Sequence, residues 1–209
     1  MLTISNAIAL YLFLILLTGC NTAPIKLTSE YNAPDKIYSK NYPPHPNSIQ
    51  CRLNVLKIED QRKNKQTMGP VGSRYVYYNN LVEWLENGFN SFNNIGLVTF
   101  VKKEYMHENE DIDMVVVVKK AYIRSNSTSK SSTLVLDVRY FNNDEALGKN
   151  IYRGSYTNVN WASSESEVKQ IFNISLAQIL SDISVDVISY CGKIKGENLD
   201  AELHYFEKI

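Results

Sequence analysis

Thr133-Leu134-Val135-Leu136-Asp137-Val138-Arg139-Tyr140-Phe141 is the stretch on which the reading of the fold turns. Leu134, Leu136, Val138 and Tyr140 point one way, and Asp137 and Arg139 the other. Alternation with a period of two is the pattern of a strand that lays one face on a core. Such a strand needs neighbours beside it and a layer over its dry face. Upstream, Met114-Val115-Val116-Val117-Val118 lies within Asp111 to Arg124 and is the β-branched run of a buried strand. Asn126 to Ser132 (NSTSKSS) separates the two as a polar hairpin loop. Downstream, Asn142 to Gly148 reads as a turn and Lys149 to Asn158 as a third strand of the meander.

The covering layer comes from two helical patterns. Tyr78, Leu81, Val82, Leu85, Phe89 and Phe92 repeat at spacings of three and four, which predicts a helix over Tyr77 to Phe92, with Asn93-Asn94-Ile95-Gly96 as its stop. Ser163 or Ser164 can cap a helix, Glu167 completing a capping box with Ser164, and the helix face carries Val168, Phe172, Leu176, Ile179, Ile183 and Val187. Ile49 to Glu59 and Leu97 to Lys102 read as further strands, and Asp60 to Arg74 as a polar loop. The expected fold is α+β: a mostly antiparallel sheet of about five strands with two helices on one face, a two-layer sandwich.

Composition bounds the rest. The chain has 209 residues, one ordinary domain, with Lys+Arg and Asp+Glu both at 22. A net charge of zero without a basic run argues against nucleic acid as a partner. Ile8 to Leu17 (IALYLFLILL) is about ten apolar residues, too short for the roughly 20 that span a bilayer and suited to the hydrophobic part of a signal peptide. Its leading residues carry no Lys or Arg, a departure from the usual signal. Leu17-Thr18-Gly19-Cys20 resembles the lipobox of bacterial lipoproteins. That resemblance implies cleavage before Cys20, a diacylglycerol on its thiol and an acylated new amino group. Several acyl chains anchor stably where one does not. Asn21 is not the aspartate that retains such proteins at the inner membrane, so the resemblance favours the periplasmic face of the outer membrane of a Gram-negative bacterium.

Thr22 to Ser48 holds five of the six prolines and no apolar period, which predicts a tether. Fully extended it reaches on the order of 90 Å. The expected divisions are a signal peptide at 1–19, lipidated Cys20 and tether at 20–48, a globular domain at 49–191 and a tail at 192–209. With Cys20 taken by lipid, Cys51 and Cys191 form an even pair in an oxidising compartment, and a disulfide between them is expected, with two separate buried thiols as the alternative.

Chemistry-bearing patterns are sparse. His107-Glu108 has no second histidine at zinc-protease spacing, and His45 lies between prolines in the tether. Glu104, Glu108, Glu110, Asp111 and Asp113 lack the oxygen-ligand alternation of a calcium loop and read as a solvated turn. Asp60-Gln61-Arg62 also reads more readily as a solvated turn than as a site. No catalytic residue, metal or cofactor beyond the covalent lipid is therefore expected. An enzyme would have to join Asp60 and Arg62 with His107 or His204.

The lipobox, Asp60-Gln61-Arg62 after the first strand, Tyr152-Arg153-Gly154-Ser155-Tyr156 before the long helix and Ile179-Leu180-Ser181-Asp182-Ile183 within it together resemble the YajG-type family of uncharacterised bacterial lipoproteins, over Ile49 to Ile188. The chain departs from that family in its tether, its cysteine pair and its tail. The resemblance supplies no catalytic residues. The expectation is a non-enzymatic, lipid-anchored domain that binds another envelope component, protein or lipid. The alternative is an auxiliary lipoprotein of a lipid-transport or export machine, with an apolar groove.

Overall fold

The computed structural model describes residues 23–34, 51–91, 98–101, 111–159 and 164–196. The strands are β1 (Ile25–Leu27), β2 (Cys51–Asp60), β3 (Gly69–Val71), β4 (Arg74–Tyr78), β5 (Val98–Val101), β6 (Ile112–Ser125), β7 (Ser129–Asn142) and β8 (Glu145–Val159). The helices are α1 (Leu81–Asn90) and α2 (Glu165–Lys195). The fold is α+β.

The single, mostly antiparallel sheet is not what forms. One sheet has the order β5-β2-β6-β7-β8 and a second the order β1-β4-β3. In the first, β6, β7 and β8 form an antiparallel meander, but β2 runs parallel to both β5 and β6. The reason is connectivity. A strand–helix–strand passage such as β2–α1–β5 crosses over and returns the chain in its original direction, so the two strands pair in parallel.

The meander is longer than the sequence pattern predicts. Its first loop shrinks to three residues, where Asn126 Oδ1 accepts from the backbone N–H of Thr128 at 2.9 Å and of Ser129 at 2.6 Å. Its second is the pair Asn143 and Asp144, at φ 48° and 66°. These are residue types whose short polar side chains tolerate the left-handed region.

Leu134, Leu136, Val138 and Tyr140 are each 0% exposed beneath α2, which lies on β7 and β8. Gly154 makes the close approach possible: a Cβ there would stand 1.8 Å from the Ser175 carbonyl oxygen of α2. The helix starts as expected, with Ser164 Oγ accepting from the Glu167 N–H at 3.2 Å. Glu167 also binds the ammonium of Lys130, which is wholly buried on β7. α2 runs past the expected boundary at Cys191 to Lys195, where Gly196 caps it at φ 70°. By length and composition α2 could cross a membrane, yet 67% of its most apolar stretch is buried inside the protein, as in a core helix.

α1 begins at Leu81, later than predicted, because Arg74–Tyr78 is strand β4. Gly88 lets α1 press on Leu176 of α2, and Trp84 Nε1 donates to Asn173 Oδ1 at 2.9 Å. Phe172 stands edge-on to the Trp84 ring.

The expected tether needs the largest correction. Ile25 and Leu27, at 1% and 5% exposure, are core residues, and β1 pairs in parallel with β4. Arg74 Nε donates to the Ala23 carbonyl at 2.7 Å, and Tyr78 Oη to that of Thr28 at 2.8 Å. The chain therefore joins the domain a few residues after Cys20, not after Ser48. Residues 35–50 lie outside the described residues. The proline count concealed a three-residue strand whose two apolar side chains are too few to register as a period.

Candidate functional site

The expected site residues fall unevenly. Cys20, His45, His107 and His204 lie outside the described residues, as does the side chain of Cys51. Cys191 is 1% exposed in the last turns of α2 and is not a free side chain. Register brings the start of β2 toward it. Leu53 pairs with Ile112, Met114 with Tyr140, and Tyr140 with Gly148, which packs against Tyr190. The opening of β2 and the end of α2 thus share one end of the sheet.

The acidic stretch is not wholly a solvated turn. Asp111 and Asp113 are 5% and 3% exposed, and Asn54 Nδ2 donates to them at 3.2 Å and 3.0 Å. Glu104, Glu108 and Glu110 lie outside the described residues. Among the described residues, no group of three His, Cys, Asp or Glu could hold a metal ion.

Asp60 and Arg62 also depart from the solvated turn the sequence suggests. Arg62 is 6% exposed. Its Nε donates to Asp60 Oδ1 at 2.9 Å and its Nη2 to Oδ2 at 2.8 Å, a bidentate fork. The Arg62 backbone N–H adds a third bond to Oδ1 at 3.1 Å. Burial pulls the Asp60 carboxyl upward, but these bonds outweigh it and hold the group below its ordinary range. The remaining nitrogen, Nη1, is buried without a hydrogen-bond partner.

The pair lines a recess of about 500 Å³ together with Lys65, Tyr78 and the first turn of α1. β2 positions Asp60 at its last residue, and β4 delivers Tyr78. Asn80 stands at the N-cap of α1 without capping it through its side chain, and its Nδ2 donates to Glu83 Oε2 at 2.8 Å instead. Burial, and then Glu83, raise the Tyr78 phenol well above its usual value, and its proton already goes to Thr28.

These groups bind more readily than they react. Asp60 is ionised and taken up by Arg62, and Tyr78 is held neutral. What the recess offers is a sheltered and mainly polar lining, suited to a polar group. Asp60 and Arg62 were visible in the sequence. Lys65, Tyr78 and Asn80 were not, since the β2–β3 loop that carries Lys65 and the short strand β4 that leads to Tyr78 and Asn80 leave no periodic signal.

A buried polar cluster lies elsewhere under α2. The Tyr140 and Tyr152 hydroxyls are 2.6 Å apart, Tyr152 donates to Asp186, and Asn150 Nδ2 donates to the same carboxylate at 2.7 Å. Burial raises both phenols, which makes this a structural network rather than a source of nucleophiles.

No family model matches the chain. No curated protein matches it either. Among solved structures it is similar to a Xanthomonas campestris protein of family DUF330, at 11% identity and a TM-score of 0.52, covering 83% of this chain and 97% of that one. A minor lipoprotein from Acinetobacter baumannii matches at 11% identity and a TM-score of 0.38, over 66% of this chain and 91% of that one. The rare lipoprotein B of Shewanella oneidensis matches at 7% and 0.34, over 64% and 94%. The specific YajG-type assignment draws no support from these likenesses. What the first of them establishes is the fold: this chain shares the α+β architecture of the DUF330 protein.

Proposed function

We propose that the protein is a non-enzymatic, lipid-anchored envelope domain, held through Cys20 at the periplasmic face of the outer membrane, that binds another envelope component. The carrying observation is that the lipobox cysteine stands three residues before Ala23, where the chain is already docked on the domain by Arg74. A link that short spans about 10 Å, so the domain stays at the lipid surface. The Arg62 recess supports binding over catalysis, since Asp60 is taken up by Arg62 and Tyr78 donates to Thr28. It is lined largely by charged and polar side chains, which is not the apolar groove a lipid-transport auxiliary needs. We further propose that Cys51 and Cys191 pair, on the strength of their shared end of the sheet.

Metabolic labelling with an alkyne fatty acid tests the anchor. Wild type incorporates the label and fractionates with outer membranes. Cys20→Ala loses both, and equal incorporation by the variant would overturn the reading. Cross-linking in whole envelopes tests the binding role: Arg62→Ala, but not the exposed Lys63→Ala, is expected to lose the captured component.

A further inference from the structure

We propose that the helix-free face of the five-stranded sheet rests on an anionic lipid surface, that of the membrane carrying the anchor. This rests on the anchored reading above and adds which side of the domain meets the lipid.

Alternation sends the even residues of β7 into the core under α2, and so turns Val135, Asp137 and Arg139 to the opposite face. Pairing carries that face across the sheet. Arg139 lies beside Lys149, Asp137 beside Ile151, and Val135 beside Arg153. β6 adds Lys119, Lys120 and Arg124, and β2 adds Arg52 and Lys57. All eight cations are exposed. Among the described residues the carboxylates beside them are four, and each is engaged: Asp111 and Asp113 both accept from Asn54, Asp137 lies 3.2 Å from the Lys149 ammonium, and Glu59 is paired with Lys57. The whole chain is neutral, so this excess is a property of one side and not of the composition. The Tyr122 phenol reports the same field: a hydrogen bond with Thr133 lowers it first, then the nearby Arg124, Lys120 and Arg153.

The shape selects lipid over an acidic peptide. Strands of 14 and 15 residues make the β6–β8 part of the face about 45 Å long, and β2 and β5 widen it to about 20 Å at one end. Cations spread over so broad a surface match a plane of headgroup phosphates, whereas a peptide needs a groove. At its edge Ile151 is 67% exposed between Lys149 and Arg153, an apolar side chain placed to enter the headgroup layer.

The test uses the lipidated protein as cells make it, placed in vesicles of phosphatidylcholine alone or with about one-third phosphatidylglycerol. Lysines are acetylated and rates are read by peptide mass spectrometry. Lys57, Lys119, Lys120 and Lys149 are expected to react roughly threefold or more slowly on the anionic vesicles, while Lys193 on α2 is unchanged. Salt at about 0.5 M shortens screening to roughly 4 Å and should remove the protection. So should the triple variant R139E/K149E/R153E, whose sites are all exposed, and I151S should weaken it. Equal rates on both vesicles overturn the proposal. Protection confined to isolated envelopes also overturns it, in favour of an acidic protein partner. Intact mass reads the acyl chains on Cys20 separately. A chain without them ends the anchored reading, and the same footprint on vesicle-added protein still decides the face.

Discussion

Asp60 and Arg62 show how a residue pair can be visible in sequence and still be misjudged. Two charges one residue apart at a strand end look solvated, because charged side chains are rarely buried. Here Arg62 is buried because Asp60 meets it with both oxygens, leaving only Nη1 unspent. The pH consequence follows from the depressed Asp60 carboxyl. Its stabilising contribution is whole above the ordinary value of 3.8 and is lost as pH falls through the lower folded value. In urea titrations, Asp60→Asn should therefore flatten the acid limb of stability below the ordinary carboxyl value of 3.8. An unchanged slope would sink that account. Lys130 and Glu167 make the companion case. Lys130→Met strands one side of the pair and should cost about 3 kcal/mol or more, whereas K130M/E167L should recover most of it. Thermal melts of the two variants decide between an uncompensated charge and mere loss of contact.

At the scale of elements, Gly154 sets how β8 meets α2. The sequence reads Tyr152-Arg153-Gly154-Ser155-Tyr156 as strand, and nothing in that pattern says why the glycine is there. The α2 backbone supplies the reason, since a side chain at 154 would overlap the Ser175 carbonyl. Gly154→Ala is expected to destabilise by about 2–4 kcal/mol, because backbone must move and not the tip of a side chain. Gly72→Ala, with open space around it but φ at +59°, should cost about 1 kcal/mol. Denaturant midpoints that rank the two the other way would refute the argument. The strands of the meander and both helices were legible because each buries a face at a regular period. β1, β3 and β4 were not, since strands of three to five residues carry too few side chains to display one. Parallel pairing of β2 was equally invisible, because alternation does not encode the direction of a neighbour.

Over the whole molecule, the proposed Cys51–Cys191 bond would join the first long strand to the last helix. A loop that large is worth about 5 kcal/mol in the chain-entropy treatment. Reduction should lower the melting temperature and, under denaturant, release two alkylatable thiols. Two thiols already reactive in the unfolded, unreduced protein would exclude the bond. The sequence by itself determined the α+β class, the two covering helices, the meander and the expectation of a lipid on Cys20, since each is written in local periodicity or contiguous motif. Only the tertiary structure decided that Ile25 and Leu27 belong to the core, that Arg62 lines a recess with Tyr78 and α1, and that eight cations share one face. Those facts depend on which segments meet across dozens of residues, and that choice is made by packing and strand direction, which no local pattern contains.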